Sequence, residues 1–139
     1  MALSKDAKLE HLKAVRLFKG CTGKQLAHVA AITDEVDVEA GKVLCRQGDQ
    51  AHEAFIIVSG EATIVADGRE LNRVGAGEIV GEVSLIDKGP RTATVTAVTP
   101  MHLLVVTAQS FEPLLEEVPG LPVAIMRDLA HRLRSYGHH

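Results

Sequence analysis

The stretch from Asp34 to Thr107 constrains the fold most. "EVDVEAGKVLCRQGD" alternates apolar and polar residues, turning at Ala40-Gly41 and again at Gly48-Asp49. "AFIIVSGEATIVADGRELNRV" continues as short β-branched runs broken at Ser59-Gly60 and Asp67-Gly68, and "TATVTAVTPMHLLVVT" supplies two more runs around Thr99-Pro100. A period of two sends successive side chains to opposite faces of a strand, and Asp-Gly suits a tight hairpin because both residues tolerate positive φ. Several short strands at regular spacing predict a barrel or sandwich of jelly-roll type, and the fold expected is mainly β with flanking helices, a double-stranded β-helix (jelly-roll) barrel.

On either side of this stretch the period becomes helical. In "SKDAKLEHLKAVRLF" the apolar residues Leu9, Leu12, Val15 and Phe18 recur at steps of three behind a capping Ser4, which predicts one amphipathic helix. Thr22 followed by Gln25 forms a capping-box pattern for a second short helix through Leu26, Val29 and Ala30. After Thr107, "SFEPLLEEVPGLPVAIMRDLAHRLRSY" predicts two helices split at Pro119-Gly120. Pro122 falls in the first turn of the last helix, and Ile125, Met126, Leu129 and Leu133 form an apolar stripe toward the barrel. The 139 residues thus read as a single domain, with N-terminal helices over 1–33, the barrel over 34–107 and C-terminal helices over 108–136.

Composition narrows the function. Hydrophobic residues make up 46% of the chain, enough to bury a core. A net charge of −3 and a pI near 6.1 oppose broad contact with phosphate backbones, and no helix-turn-helix pair follows the last helix, so no nucleic acid partner is expected. Cys21 and Cys45 lack a paired framework and read as free thiols in a reducing compartment. With no signal-peptide apolar region and no long apolar run, the expected location is cytoplasmic, away from membranes. The closing "GHH" resembles a purification-tag remnant, and His138 and His139 carry no functional argument.

Catalytic and cofactor signatures are weak. His28, His52, His102 and His131 show no metal-site spacing, and Ser59, Ser84 and Thr94 have no evident base-and-acid pair. "GAGEIVG" lies among strand and turn signals instead of opening a long helix, unlike a dinucleotide loop. A non-enzymatic chain without a cofactor is the expectation.

The chemistry concentrates in "VGEVSLIDKGPRTATVTAV". Strand character stops at Gly81, and "EVSLI" is long enough for one helical turn, whose unpaired N–H groups attract an anion. Gly81 lets a ligand approach the backbone. After Pro90, Arg91 offers a rigid fork of donors suited to phosphate oxygens. Glu82 would repel a phosphate, but it fits a neutral donor on the same ligand, such as a sugar hydroxyl. Phosphate and sugar together point to a nucleotide.

"GEVSLIDKGPRTATV" resembles the phosphate-binding cassette of the cyclic nucleotide-binding domains, found in catabolite-activator regulators, regulatory subunits of cyclic AMP-dependent kinase and cyclic nucleotide-gated channels. "AGKVLCRQGD", "AFIIVSGEATIV" and the flanking helices extend the likeness over essentially the whole chain. The resemblance implies a cassette over 81–95, with Gly81, Glu82, Val83, Ser84, Arg91 and Thr92 against the ligand. Glu82 would accept the ribose 2′-hydroxyl, and Arg91 would hold the cyclic phosphate with the N–H groups of Ser84 and Thr92. It also implies a C-terminal lid helix over the purine, with Arg132, Arg134 and Tyr136 as contact candidates. Thr92 resembles cyclic GMP-binding members and also occurs in cyclic AMP-responsive channels. Cyclic AMP is the first expectation and cyclic GMP the second. The implied role is a regulatory sensor, monomeric or weakly dimeric, acting on a separate or fused effector protein. The alternative is a barrel kept for protein interaction without nucleotide.

Overall fold

The computed structural model describes residues 2–135. Ser4 caps α1 (Lys5–Lys13) by accepting the Ala7 N–H, and Thr22 with Gln25 forms the capping box of α2 (Gly23–Ile32). Eight strands follow: β1 (Asp34–Val38), β2 (Val43–Cys45), β3 (Glu53–Ser59), β4 (Ala62–Ala66), β5 (Arg69–Val74), β6 (Ile79–Val80), β7 (Thr94–Ala97) and β8 (Met101–Thr107). The helix α3 (Glu82–Asp87) interrupts them between β6 and β7, and α4 (Ala108–Glu117) and α5 (Leu121–Ser135) close the described chain.

The strands form two four-stranded antiparallel sheets, ordered β1-β8-β3-β6 and β2-β7-β4-β5, so the fold is the expected mainly β barrel with flanking helices. Alternation along β3 explains the unbroken apolar run "AFIIV". Ala54, Ile56 and Val58 join the core beneath the helices, whereas Phe55 and Ile57 point into the barrel interior. In β8, Leu104 and Val106 take the helical side, and Met101 and Leu103 take the interior. A strand covered on both faces has no polar side to show. The β4–β5 hairpin turns at Asp67 (φ 53°) and Gly68 (φ 77°), the doubly positive geometry that matches strand twist.

Two helical expectations need correction. The first helix does not run to Phe18: it stops at Lys13, and Arg16–Phe18 is a separate 3-10 turn that buries Val15, Leu17 and Phe18 together. Steps of three suit a 3-10 turn as well as an α-helix, which is why the sequence reads as one element. In α5 the line against the core is Leu121 and Ile125, both buried, and half-buried Leu129, spaced by four. Met126, about 100° around the helix from Ile125, is 60% exposed, and Leu133 is 54% exposed.

An ionic cluster fastens β1 to β8. His102 faces Asp37 across the ladder, and Glu35 lies two residues along on the same face. His102 Nδ1 meets Asp37 Oδ1 at 2.5 Å and Nε2 meets Glu35 Oε2 at 2.7 Å, so the doubly protonated ring satisfies both. Glu35 also accepts the Leu3 N–H at 2.9 Å, tying down the segment before α1. The hydrogen bond to Asp37 chiefly raises the His102 pKa, and Glu35 adds to it. Glu35 is lowered, first by the Leu3 N–H and then by His102, and Asp37 is lowered, first by its hydrogen bond to His102.

The stability supplied by His102 is complete below its unfolded pKa, about 6.5, and is lost as pH rises through the raised folded value. That of the carboxylates is present above their unfolded values, about 4, and is lost as pH falls through the lowered ones. Urea midpoints are therefore expected to peak between about pH 5 and 6.5 and decline toward alkaline pH. His102→Gln should flatten the alkaline decline, and an undiminished decline in that variant would place its origin elsewhere.

Candidate functional site

The site begins where β6 ends. Gly81 caps α3 at φ 87°, and a Cβ there would lie 2.6 Å from Arg91 Nη1 and 3.2 Å from the Glu53 carbonyl oxygen. Both the backbone conformation and the close approach require glycine. Glu82 follows as the first residue of α3 and is 1% exposed. The helix ends at Lys88, in the left-handed region at φ 59°, whose ammonium pairs with Glu112 of α4 at 2.8 Å. Its first-turn N–H groups lack intrahelical acceptors and carry the positive end of the helix dipole.

Arg91 is fixed by backbone and side chain together. Its N–H donates to the Asp49 carbonyl at 2.8 Å, and its carbonyl accepts the Gly48 N–H at 2.9 Å. The Ser84 hydroxyl donates to the Pro90 carbonyl at 3.0 Å, joining α3 to the segment that carries the arginine. The arginine is 5% exposed. Nη1 donates to the Gly81 carbonyl at 3.1 Å, Nη2 donates to the Glu53 carbonyl at 2.7 Å, and the Glu53 carboxylate lies 3.7 Å from Nη2. A guanidinium has five N–H donors, so these contacts orient it and leave capacity for an anion.

Gly81, Glu82, Val83, Ser84, Arg91 and Thr92, all singled out in the sequence, line one cavity of about 920 Å³. Thr92 is exposed at its edge. Ile64, Val74, Val80 and Val95 supply an apolar barrel wall, and Leu129, His131 and Leu133 approach from α5. Volume and lining suit a small organic anion with an apolar body. Leu133, expected to pack on the barrel, instead stands at the cavity. Among the lid candidates, Arg134 is exposed and is not among the described residues lining the cavity; the Arg132 side chain and Tyr136 lie outside the described residues.

Two neighbours escape sequence reasoning. Glu53 reaches Arg91 from 38 residues away along the chain, and no local pattern announces it. Cys45 is buried in the cavity wall. Its thiol is pushed up to about 11, first by burial, with Glu53 and Glu82 adding and Arg91 opposing, so it stays protonated at neutral pH. Cys21 is also a free thiol. Among the described residues no group of His, Cys, Asp and Glu could hold a metal ion, and no helix is long and apolar enough to cross a membrane.

The family model of the cyclic nucleotide-binding domain matches residues 35–118, spanning the barrel, the Glu82–Arg91 segment and α4. The chain belongs to this family. Over 140 aligned residues acetyltransferase Pat of Mycolicibacterium smegmatis is 33% identical, with 98% of the present chain and 42% of the relative covered. The CRP-like cAMP-activated global transcriptional regulator of Mycobacterium tuberculosis is 28% identical over 90% of the chain and 58% of its own length. The catabolite activator protein of Thermus thermophilus superimposes with a TM-score of 0.81 at 28% identity, over 88% of this chain and 60% of that one. The chain therefore spans about half the length of these relatives, which include an acetyltransferase and a transcriptional regulator.

Within this cyclic nucleotide-binding domain, Gly81→Ala combines a disfavoured φ with a clash on Arg91. It is expected to lower stability by about 1–3 kcal/mol in urea titrations, and an unchanged midpoint would show that Arg91 can move aside freely.

Proposed function

We propose that the chain is a cyclic nucleotide sensor, preferring cyclic AMP with cyclic GMP as the second ligand, and that it has no catalytic activity of its own. The convergence of a buried Glu82 and a buried Arg91 on one cavity carries this reading. Arg91 binds the cyclic phosphate with the N–H groups of Ser84 and Thr92. Glu82 accepts the ribose 2′-hydroxyl beside the Gly81 backbone, and the apolar wall receives the base. The name of the mycobacterial regulator, cAMP-activated, supports the choice of first ligand.

Signalling follows from what moves. A phosphate at the start of α3 pulls on a short helix tied to α4 through Lys88 and Glu112 and to the Arg91 segment through Ser84. The helix α5 reaches the cavity through Leu129 and Leu133, and Leu133, largely exposed, gains burial if the helix closes over the purine. A near-complete switch needs the closed state to bind about 10⁴-fold more tightly than the open one. The output is carried by a separate or fused effector protein.

Calorimetry tests the ligand. Arg91→Ala should weaken cyclic AMP binding at least tenfold, since removing one side of a buried charged contact costs about 2–5 kcal/mol. An unchanged affinity would place the phosphate elsewhere, and absence of heat with either cyclic nucleotide at millimolar concentration would leave the barrel as a protein-interaction module.

A further inference from the structure

The charge of Arg91 is balanced by a residue outside the cavity lining. Glu53 opens β3, and its carboxylate stands 3.7 Å from Arg91 Nη2 while its carbonyl accepts from the same nitrogen at 2.7 Å. Glu53 is one-third exposed in its side chain and is not among the described residues that line the cavity, whereas Arg91 is. Buried Arg91 therefore stands against two carboxylates, buried Glu82 and one-third-exposed Glu53, and the Cys45 thiol in the cavity wall feels all three charges. Of the other charged or titratable groups at the cavity, Arg16 lies 3.8 Å from Asp128, and Lys19, Glu78 and His131 are exposed, where water screens them.

We propose that Glu53 is a specificity residue that restricts the site to singly charged phosphates, an inference that rests on the cyclic nucleotide reading. A cyclic phosphodiester carries one negative charge, whereas a phosphate monoester carries about −1.5 to −2 at neutral pH. Arg91, already partly neutralised by Glu53, compensates the first charge. The second charge meets Glu82, which is buried, and Glu53, which is one-third exposed, and like charges there repel more strongly than in bulk water. Glu82 is committed to the sugar hydroxyl, so Glu53 is the carboxylate whose charge can be removed without losing a ligand contact. The device distinguishes a cyclic nucleotide from the linear nucleotide made when its ring is opened, which has the same base and sugar.

The test is calorimetry of the whole chain at pH 7.5 with cyclic AMP and adenosine 5′-monophosphate, on wild type, Glu53→Gln and Glu53→Asp. Glu53→Gln keeps the carbonyl contact and removes the charge, and should lower the preference for cyclic AMP over the monophosphate about tenfold, mainly by tightening the monophosphate. Glu53→Asp, which keeps the charge, should retain the wild-type preference. A preference unchanged in Glu53→Gln, with cyclic AMP still bound, overturns the proposal alone. Loss of cyclic AMP binding in Glu53→Gln also overturns it, since Glu53 would then serve only to orient Arg91. Wild-type protein that binds neither cyclic AMP nor cyclic GMP overturns the proposal together with the function it rests on.

Discussion

The site depends on holding one guanidinium in a buried place. A charge moved out of water costs several kcal/mol unless acceptors surround it. Around Arg91 these are the carbonyls of Gly81 and Glu53, with the Glu53 carboxylate behind them. Each contact imposes a requirement elsewhere. Gly81 must lack a side chain, β3 must start at a fixed register beside β6, and the Gly48-Asp49 turn must offer its backbone to Arg91.

That arrangement also makes the site mechanically connected. The helix α3 is too short to hold its position through its own hydrogen bonds. It is held by what it touches: the Pro90 carbonyl through Ser84, α4 through Lys88, and the core beneath the helices through Leu85. The C-terminal helices also reach the cavity, through Leu129 and Leu133. Under the proposed function, displacement at the first turn of α3 would reach them through these contacts, and it would shift their position only as far as the ligand binds the two arrangements differently.

Much of this was legible in the sequence because it is local. The capping box at Thr22 and Gln25, the Asp67-Gly68 hairpin, the break at Pro119-Gly120 and the turn at Gly81 are each dictated by a few adjacent residues. The family cassette drew Glu82 and Arg91 toward one ligand, and the fold brings both to one cavity. What stayed hidden is set by tertiary contact. Glu53 looks like an ordinary strand residue until β3 is laid beside β6, and His102 seems isolated until the β1–β8 register brings Asp37 and Glu35 to it. The apolar residues of α5 form one stripe on paper, yet the core beneath the helices covers Ile125 and leaves Met126 and Leu133 exposed.

If one small ligand bridges Glu82 and Arg91 and moves the last helix, an NMR titration of isotope-labelled protein with cyclic AMP, followed by cyclic GMP, will register both events. The amides of Gly81, Glu82, Val83, Ser84, Arg91 and Thr92 are expected to shift together at one saturating stoichiometry, with α5 resonances changing in step. Shifts confined to other surfaces, or none at millimolar ligand, would contradict that bridging.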